Sequence, residues 1–490
     1  IVSPSPYEGK LLKPKFNEII NSTHVLFEWR QQQFGDSYII EVCKNNDFTN
    51  CQINESSSSL MKVIKNNLEW NNLYFWRVKS ISSSNPIDNW IDSSQFQISE
   101  KLGDAYTNFS NNNLEDNITI YGSFFDFYSA AIDAAGNEIW NSGYSQFVFY
   151  SNNQWGQFFG SQYSPNLENN LPGVEFNYEN NIIWREPNEH FMHHEIIQLP
   201  SGNYIGIVEE SRGGPIPNNG DWVELFQGIG YVADGETVEF RWVGDRIVEW
   251  DYESGSEVWS WSTFDNFSIN DYDVNGGTWM EAYQAGRYDW THANALAFDV
   301  DENAIYISSR HLSRISKIAY PSGDLLWNMG IELGSGEINF GKNLQFSFQH
   351  SLQILPNGNI VILDNGNLSQ SLFGTDYPTS RGLEIQINGN ESAEIIWEYI
   401  LPQNLFGFAS GNVQKLANNN YLITTVGDGG TSLEINPEKE IVWEGKYNLT
   451  LTAGAVYRAQ RISGLFAGNF SLILPKEIDF NENILFKTLI

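Results

Sequence analysis

Seven histidines occur in the 490 residues. All but His24 recur at one kind of position, beside the end of a short apolar run. The densest stretch is Asp289-Trp290-Thr291-His292-Ala293-Asn294-Ala295-Leu296-Ala297-Phe298-Asp299, a turn at Asp299-Val300-Asp301-Glu302-Asn303, and Ala304-Ile305-Tyr306-Ile307-Ser308-Ser309-Arg310-His311. His292 leads the first run and Arg310-His311 closes the second. His350 precedes Ser351-Leu352-Gln353-Ile354-Leu355 as His292 precedes Ala293-Asn294-Ala295-Leu296, and His190, His193 and His194 stand before Leu199-Pro200-Ser201-Gly202-Asn203. Several imidazoles beside an arginine can bind an oxyanion, act as acid and base, or hold a metal. Metal is set aside, because no carboxylate or cysteine stands at a ligand spacing and neighbours such as His193 and His194 point to opposite faces of a strand. No phosphate-cradling glycine loop with lysine, no Gly-x-Ser-x-Gly elbow and no paired-cysteine zinc pattern occurs, and no cofactor is expected. Carboxylates are plentiful, and a glycosidase pair among them would be visible only in space.

Beyond about residue 103 one pattern recurs, an apolar strand, a Gly/Asn turn, another strand, and a strand that ends in tryptophan. The terminal tryptophans are Trp140, Trp184, Trp250, Trp327, Trp397 and Trp443. Upstream of several sit Leu199-Pro200-Ser201-Gly202-Asn203-Tyr204, Leu355-Pro356-Asn357-Gly358-Asn359-Ile360 and Leu416-Ala417-Asn418-Asn419-Asn420-Tyr421, whose Gly and Asn supply the positive backbone angles of a tight hairpin. Six such units predict an all-β, six-bladed β-propeller over 103–490, with histidines of successive blades converging on one channel. The stretch Ser211-Arg212-Gly213-Gly214-Pro215-Ile216-Pro217-Asn218-Asn219-Gly220 reads as an inserted loop on one face. Residues 1–102 read as short alternating strands with Trp29, Tyr38, Tyr74 and Trp76 as core candidates, a fibronectin III-like β-sandwich.

Lys+Arg of 27 against Asp+Glu of 60 leaves a net charge of −33, which repels nucleic acid and anionic membranes. A sulfated or phosphorylated small substrate then needs a local cationic pocket. No apolar run is long enough to span a membrane. The two cysteines, Cys43 and Cys51, flank a strand, turn and return that bring them within reach of a disulfide, which implies an oxidising compartment. With the chain opening at Ile1 rather than a leader, this favours a secreted protein, periplasmic, cell-surface or extracellular. The sequons Asn117-Ile118-Thr119, Asn266-Phe267-Ser268 and Asn448-Leu449-Thr450 are compatible with glycosylation.

Several segments between residues 190 and 466 carry a resemblance. They are Asp289-Trp290-Thr291-His292-Ala293-Asn294 with Ile307-Ser308-Ser309-Arg310-His311; Gln349-His350 with Leu363-Asp364-Asn365-Gly366; Ser380-Arg381-Gly382-Leu383-Glu384 with Ile396-Trp397-Glu398-Tyr399; and Tyr457-Arg458-Ala459. With these the chain resembles the bacterial aryl-sulfate sulfotransferases, secreted six-bladed propellers with an N-terminal β-sandwich. That family moves a sulfuryl group from one phenol to another through a sulfated histidine, without a nucleotide donor. The resemblance implies catalytic roles for His292 and His350 with Arg310 or Arg381 beside them, and substrate contacts from His193, His194, His311, Asn294, Tyr457 and Arg458. Two positions depart from the pattern. The arginine that follows Asp-Asn-Gly in the family is absent from Asp364-Asn365-Gly366-Asn367-Leu368, which leaves Arg381 or Arg310 as candidates to substitute for it. The nucleophilic histidine is missing from Ile423-Thr424-Thr425-Val426-Gly427-Asp428-Gly429-Gly430-Thr431-Ser432-Leu433-Glu434-Ile435, and no histidine follows His350. Two expectations result. One is an enzyme acting on an aryl sulfate and a phenol with an unorthodox nucleophile or by direct transfer. The other is an inactive extracellular structural or adhesion protein that assembles as a homo-oligomer, surface layer or filament.

Overall fold

A computed structural model describes residues 10–32, 37–81, 90–111, 118–153, 155–166, 171–187, 192–449 and 454–469. His190, Asn117 and Thr450 lie outside these residues.

Alternation of apolar and polar side chains builds two facing sheets from residues 11–98. One has three strands in the order Leu11–Lys13, Val25–Trp29, Met61–Ile64; the other has five, Glu18–Ile20, Trp90–Ile98, Leu73–Ile81, Ser37–Cys43, Ile53–Ser57. Ser37–Cys43 alternates partly buried and buried residues, as a strand with one covered face must. The inward side chains, including Phe27, Trp29, Tyr38, Tyr74, Trp76 and Phe96, form one core of their own. Cys43 and Cys51 are joined by a disulfide.

Six sheets follow, antiparallel apart from the short strand Tyr288–Asp289, which pairs parallel with Val238–Trp250. Sheet I comprises Ala455–Ile462, Ile118–Phe124, Tyr128–Ile132 and Glu138–Asn141; sheet II, Phe147–Asn152, Phe158–Gln162, Gly173–Phe176 and Ile182–Arg185; sheet III, Met192–Gln198, Tyr204–Pro215, Val238–Trp250 and Glu257–Ser262. Sheet IV runs Ala293–Asp299, Ala304–Ser309, Arg314–Ala319, Leu325–Gly330; sheet V, His350–Ile354, Ile360–Asp364, Arg381–Asn388, Ser392–Ile400; sheet VI, Asn412–Lys415, Tyr421–Thr425, Thr431–Ile435, Ile441–Lys446, with Tyr106–Ser110 added at its far edge. Their first strands touch in turn from sheet I through sheet VI, and the sixth touches the first again. Two pairings between remote parts of the chain tie the ends together. Ala455–Ile462 pairs with Ile118–Phe124 in sheet I, and Tyr106–Ser110 pairs with Ile441–Lys446 in sheet VI.

The three expected hairpins each join a first strand to a second strand. Gly202, Gly358 and Asn419 take positive φ of 93°, 81° and 68°, and in each the leading Leu N–H donates to the carbonyl of the residue before the next strand, Asn203, Asn359 or Asn420. Five of the six tryptophans lie in fourth strands but do not end them: Trp140 and Trp184 are next to last, and the strands of Trp327, Trp397 and Trp443 run three residues past the ring. Trp250 instead ends the third strand of sheet III, whose fourth strand carries Trp259 and Trp261. The extra residues lie inside the hairpin between the second and third strands, so the repeat lengthens before Trp250. The expected loop at 211–220 is accordingly only half a loop. Ser211 to Pro215 continue the second strand in pairing with the third, and the tip carries a helix at Val223–Gly228. Trp222, Phe226, Phe240, Trp242, Trp279 and Tyr288 pack this arm onto a second helix, Thr278–Ala285.

The disulfide removes conformations from the unfolded chain, and for a sequence separation of 8 its contribution is about 2–3 kcal/mol. Replacing Cys43 and Cys51 together with Ser should lower the urea-unfolding free energy of residues 11–98 by that amount, followed by the fluorescence of Trp29 and Trp76. An unchanged midpoint would show that the crosslink does not stabilise the folded sandwich.

Candidate functional site

The site is made by breaks in the ladder at the start of the first strands. In sheet III the register slips between Met192 and Ile196, leaving extra residues against Val208 to Gly206. In sheet IV Asn294 is extra between Ala293 and Ala295, and in sheet V one residue is extra between His350 and Gln353. Tyr457 in sheet I and Tyr150 in sheet II occupy the same kind of bulge, whereas sheet VI pairs without a break. His194, His292 and Ser351 have φ of 66°, 46° and 58°, a region that non-glycine residues enter at some cost and that concentrates at functional sites. A bulge re-aims side chains. The expectation that His193 and His194 point to opposite faces is therefore overturned: both line one cavity, with ring centroids 4.8 Å apart.

That cavity, of about 220 Å³, is lined by Phe124, Tyr150, His193, His194, Glu209, Asp245, Arg287, Asp289 and His292 among others. Each carboxylate in its wall faces a cationic or protonatable partner. Asp245 meets His193 Nε2 at 2.9 Å, Asp289 meets His292 Nδ1 at 2.6 Å, and Glu209 meets Arg287 at 3.4 Å. Asp245, almost fully buried, also accepts from Thr291 Oγ1 at 2.5 Å and from the Ala293 N–H at 2.6 Å. One carboxylate thus holds His193 directly and both neighbours of His292, Thr291 by its hydroxyl and Ala293 by its backbone N–H. Burial pulls the His193 pKa down, but the hydrogen bond and charge of Asp245, with Glu209 and Asp289, outweigh it and raise the value. Burial alone would raise Asp289, yet the neighbouring imidazoles of His292, His311 and His193 hold its carboxyl well below the usual range.

His194 bridges two partners. Its Nδ1 is 3.0 Å from Tyr457 Oη, which donates to the His194 carbonyl at 2.9 Å, and its Nε2 is 3.1 Å from His292 Nε2. Burial and then the charges of His193 and His292 push it well below the ordinary histidine value. His311 stacks beside His292 at 4.7 Å between ring centroids, donates from Nδ1 to the Asp289 carbonyl at 2.6 Å and accepts at Nε2 from Arg310 Nη1 at 2.5 Å. Burial, reinforced by His292 and Arg310 against the pull of Asp289, pushes His311 down to about 3. Arg310 lies over Phe348, 4.7 Å from its ring centroid, and its Nη2 donates to the Phe408 carbonyl at 3.2 Å. No carboxylate salt bridge reaches Arg310 among the described residues, and its Nε is buried without a partner.

The remaining expected residues stand around this centre. His350 donates from Nδ1 to Asn365 Oδ1 at 2.8 Å, and its Nε2 accepts the Ser410 N–H at 3.2 Å. Burial, then the charge of Arg310, holds it well below the ordinary value. Arg458 is engaged by Glu195 at 2.5 Å and the Asn294 carbonyl at 2.9 Å, and Asn294 Nδ2 donates to the Gln349 carbonyl at 2.7 Å, stitching sheets I, III, IV and V together. Arg381 makes its contacts elsewhere, on Asp364 at 2.6 Å and Glu398 at 2.8 Å. In sheet VI, Thr424, Ser432 and Tyr447 share hydroxyl hydrogen bonds of 2.7 and 2.6 Å with one another. Asp245 and Asp289 had no assigned role in the sequence. Asp289 stands three residues before His292 and could have been found there, whereas Asp245 has no local signal.

Asp289, His292 and His311 bring three donor side chains within 4.8 Å of one another, enough to consider a divalent cation. Arg310 argues against one, since its guanidinium holds the His311 Nε2 lone pair and would face the ion at close range. The same arrangement suits an oxyanion.

The model of the arylsulfotransferase (ASST) family matches residues 106–458. No curated protein matches the chain in sequence. Solved structures similar to the chain include a protein of unknown function from Bacteroides caccae, 12% identical over 71% of this chain and 99% of that one with a TM-score of 0.40. They include the periplasmic gluconolactonase PpgL of Pseudomonas aeruginosa, 9% identical over 87% and 99% with a TM-score of 0.35. An auxiliary nutrient binding protein from Bacteroides ovatus is 11% identical over 91% of each chain with a TM-score of 0.34. These scores are low, and no residue or role is transferred from those proteins.

A histidine kept neutral in the fold but free to protonate when unfolded makes the unfolded state bind more protons below about pH 6.5. Stability therefore falls with pH from there, and for His311 the loss continues to about 3. His311→Gln should lose about 1 kcal/mol less than the parent between pH 6 and pH 5, measured by urea unfolding at the two pH values. An equal loss in both proteins would mean that His311 is not neutral in the fold.

Proposed function

Because the chain belongs to the arylsulfotransferase family, whose model matches residues 106–458, we propose that it transfers a sulfuryl group between phenolic compounds at this histidine cluster. In this reading the six sheets are the blades of a six-bladed propeller over 103–490, carried behind a fibronectin III-like sandwich over 1–102. The observation that carries the proposal is Arg310, a cation without an acidic partner among the described residues, set beside His311 and acting by its charge on His350. In a chain of net charge −33, that is the local cationic pocket an aryl sulfate requires.

A sulfuryl group in transfer spreads negative charge over its oxygens, so that fixed donors and charges aimed at it do most of the catalysis. Arg310 supplies a fixed charge and an unpartnered N–H. His292 and His350 flank the transferring group, and Phe124 and Tyr150 in the cavity wall give the aryl ring an apolar seat. Arg381 supports sheet V through Asp364 and Glu398 rather than meeting the sulfate. The disulfide supports placement in an oxidising compartment.

Incubation with 4-nitrophenyl sulfate and phenol should release nitrophenolate and yield phenyl sulfate. Arg310→Gln should lower kcat/KM by about 100-fold or more while the fold, followed by tryptophan fluorescence, is kept. Absence of release from the parent protein would overturn the proposal and favour an inactive binding or structural role.

A further inference from the structure

We propose that Arg241 and Arg287, on the wall that rises from the histidine cavity, select phenolic acceptors that carry a second, anionic group, a carboxylate on a short side chain of the ring. This rests on the sulfuryl-transfer reading above and names the class of acceptor.

The wall is the long hairpin of sheet III. Side chains of a strand alternate between its two faces, and residues paired across a ladder share a face. Asp245 pairs with Glu209, and both line the cavity. Counting in twos from Asp245 along Val238–Trp250, Val243 and then Arg241 lie on that same face, paired with Ser211 and Gly213. Arg241 is thus four residues, about 13 Å, up the wall from Asp245. The short strand Tyr288–Asp289 gives the same answer independently. Its Tyr288 pairs with Trp242 and its Asp289 with Val243, in parallel, and Asp289 lines the cavity. Two residues before Asp289 stands Arg287, also in the cavity wall, and two residues before Val243 stands Arg241. The two arginines therefore leave neighbouring strands at one level and toward one side, at the mouth of the cavity.

Neither is matched as the other arginines of this hairpin are. Arg212 reaches Glu210 at 2.9 Å and Asp265 at 2.7 Å, and Arg246 reaches Glu257 at 2.8 Å. Arg241 is exposed and donates from Nε and Nη2 to the Ser211 hydroxyl at 3.1 and 2.9 Å, and no carboxylate meets it among the described residues. Arg287, with its side chain 44% exposed, meets Glu209 at 3.4 Å, well beyond the ~2.7–2.9 Å of a close charge-assisted hydrogen bond. The nearest other carboxylates are taken up below, Asp245 by His193 and Asp289 by His292. Two like charges side by side on neighbouring strands repel each other, and a carboxylate between them, taking donors from both guanidiniums, removes that repulsion. With the reacting oxygen of the acceptor at the histidines, a carboxylate at the far end of the molecule arrives at this pair.

The test is acceptor selectivity with 4-nitrophenyl sulfate as donor, comparing 3-(4-hydroxyphenyl)propionate with its methyl ester, which keeps the phenol and lacks the charge. The parent protein should favour the acid by about tenfold in kcat/KM, expressed mainly in KM, and about 0.5 M sodium chloride should erase most of the difference by screening. Arg241→Gln together with Arg287→Gln should abolish the preference, and the corresponding pair of lysine substitutions, which keeps the charge, should retain part of it. Equal use of acid and ester by the parent, or a preference that survives in the glutamine variant, would overturn the assignment while leaving sulfuryl transfer in place. So would an equal loss on both acceptors, which would mark the two arginines as supports of the hairpin. Transfer to neither acceptor would remove the sulfuryl-transfer reading and this one with it.

Discussion

Asp245 is a buried carboxylate with three donors on it, the imidazole of His193, the hydroxyl of Thr291 and the N–H of Ala293. A charge taken out of water must be met in this way or it neutralises or unfolds its surroundings. Because its donors come from sheets III and IV, the carboxylate fixes two first strands against each other. The backbone between Thr291 and Ala293 is also the backbone of His292, with φ of 46°. The hydrogen bonds on either side hold that residue in a conformation it would not otherwise keep. The positions of His194, Asp289 and His311 follow from where His292 is held.

Around this centre the positive charge is arranged against a strongly acidic chain. Most of the arginines near the inner strands are matched to carboxylates, Arg458 to Glu195, Arg461 to Glu434, Arg381 to Asp364. Buried pairs of this kind add little net stability, because desolvation offsets most of the attraction, but a wrong register would leave a charge unpaired. They act here as registration between sheets. Arg310 differs in lying on an aromatic ring, an imidazole and a carbonyl. Its charge remains available to a ligand and helps to hold His311 and His350 below the ordinary histidine value.

How much of this could be read from the amino-acid order depends on the range of the interaction concerned. The hairpins at Leu199–Tyr204 and Leu355–Ile360 are local, since Gly202 and Gly358 declare the turn by residue type. The tryptophans of the outer strands are nearly as local, although the strands continue past them, and the pattern fails at Trp250 because the residues inserted before it belong to an extended hairpin whose strands look like loop in composition. Bulges leave no such mark. An extra residue such as Asn294 is extra only relative to Ser308 and Ser309 across the ladder, so the shared orientation of His193 and His194 was not legible. Arg381 and Arg310 are equally plausible anion binders as residue types, and what separates them is that Asp364 and Glu398 close on one and not on the other. Asp245, with no motif around it, could be found only through space.

The proton inventory of the cluster is the point on which site and chemistry meet, and long-range proton–nitrogen correlation NMR of the imidazoles at neutral pH reads it directly. The account predicts a neutral His194 ring protonated on Nδ1 alone, donating to Tyr457. A His194 ring protonated on Nε2, alone or together with Nδ1, would contradict it.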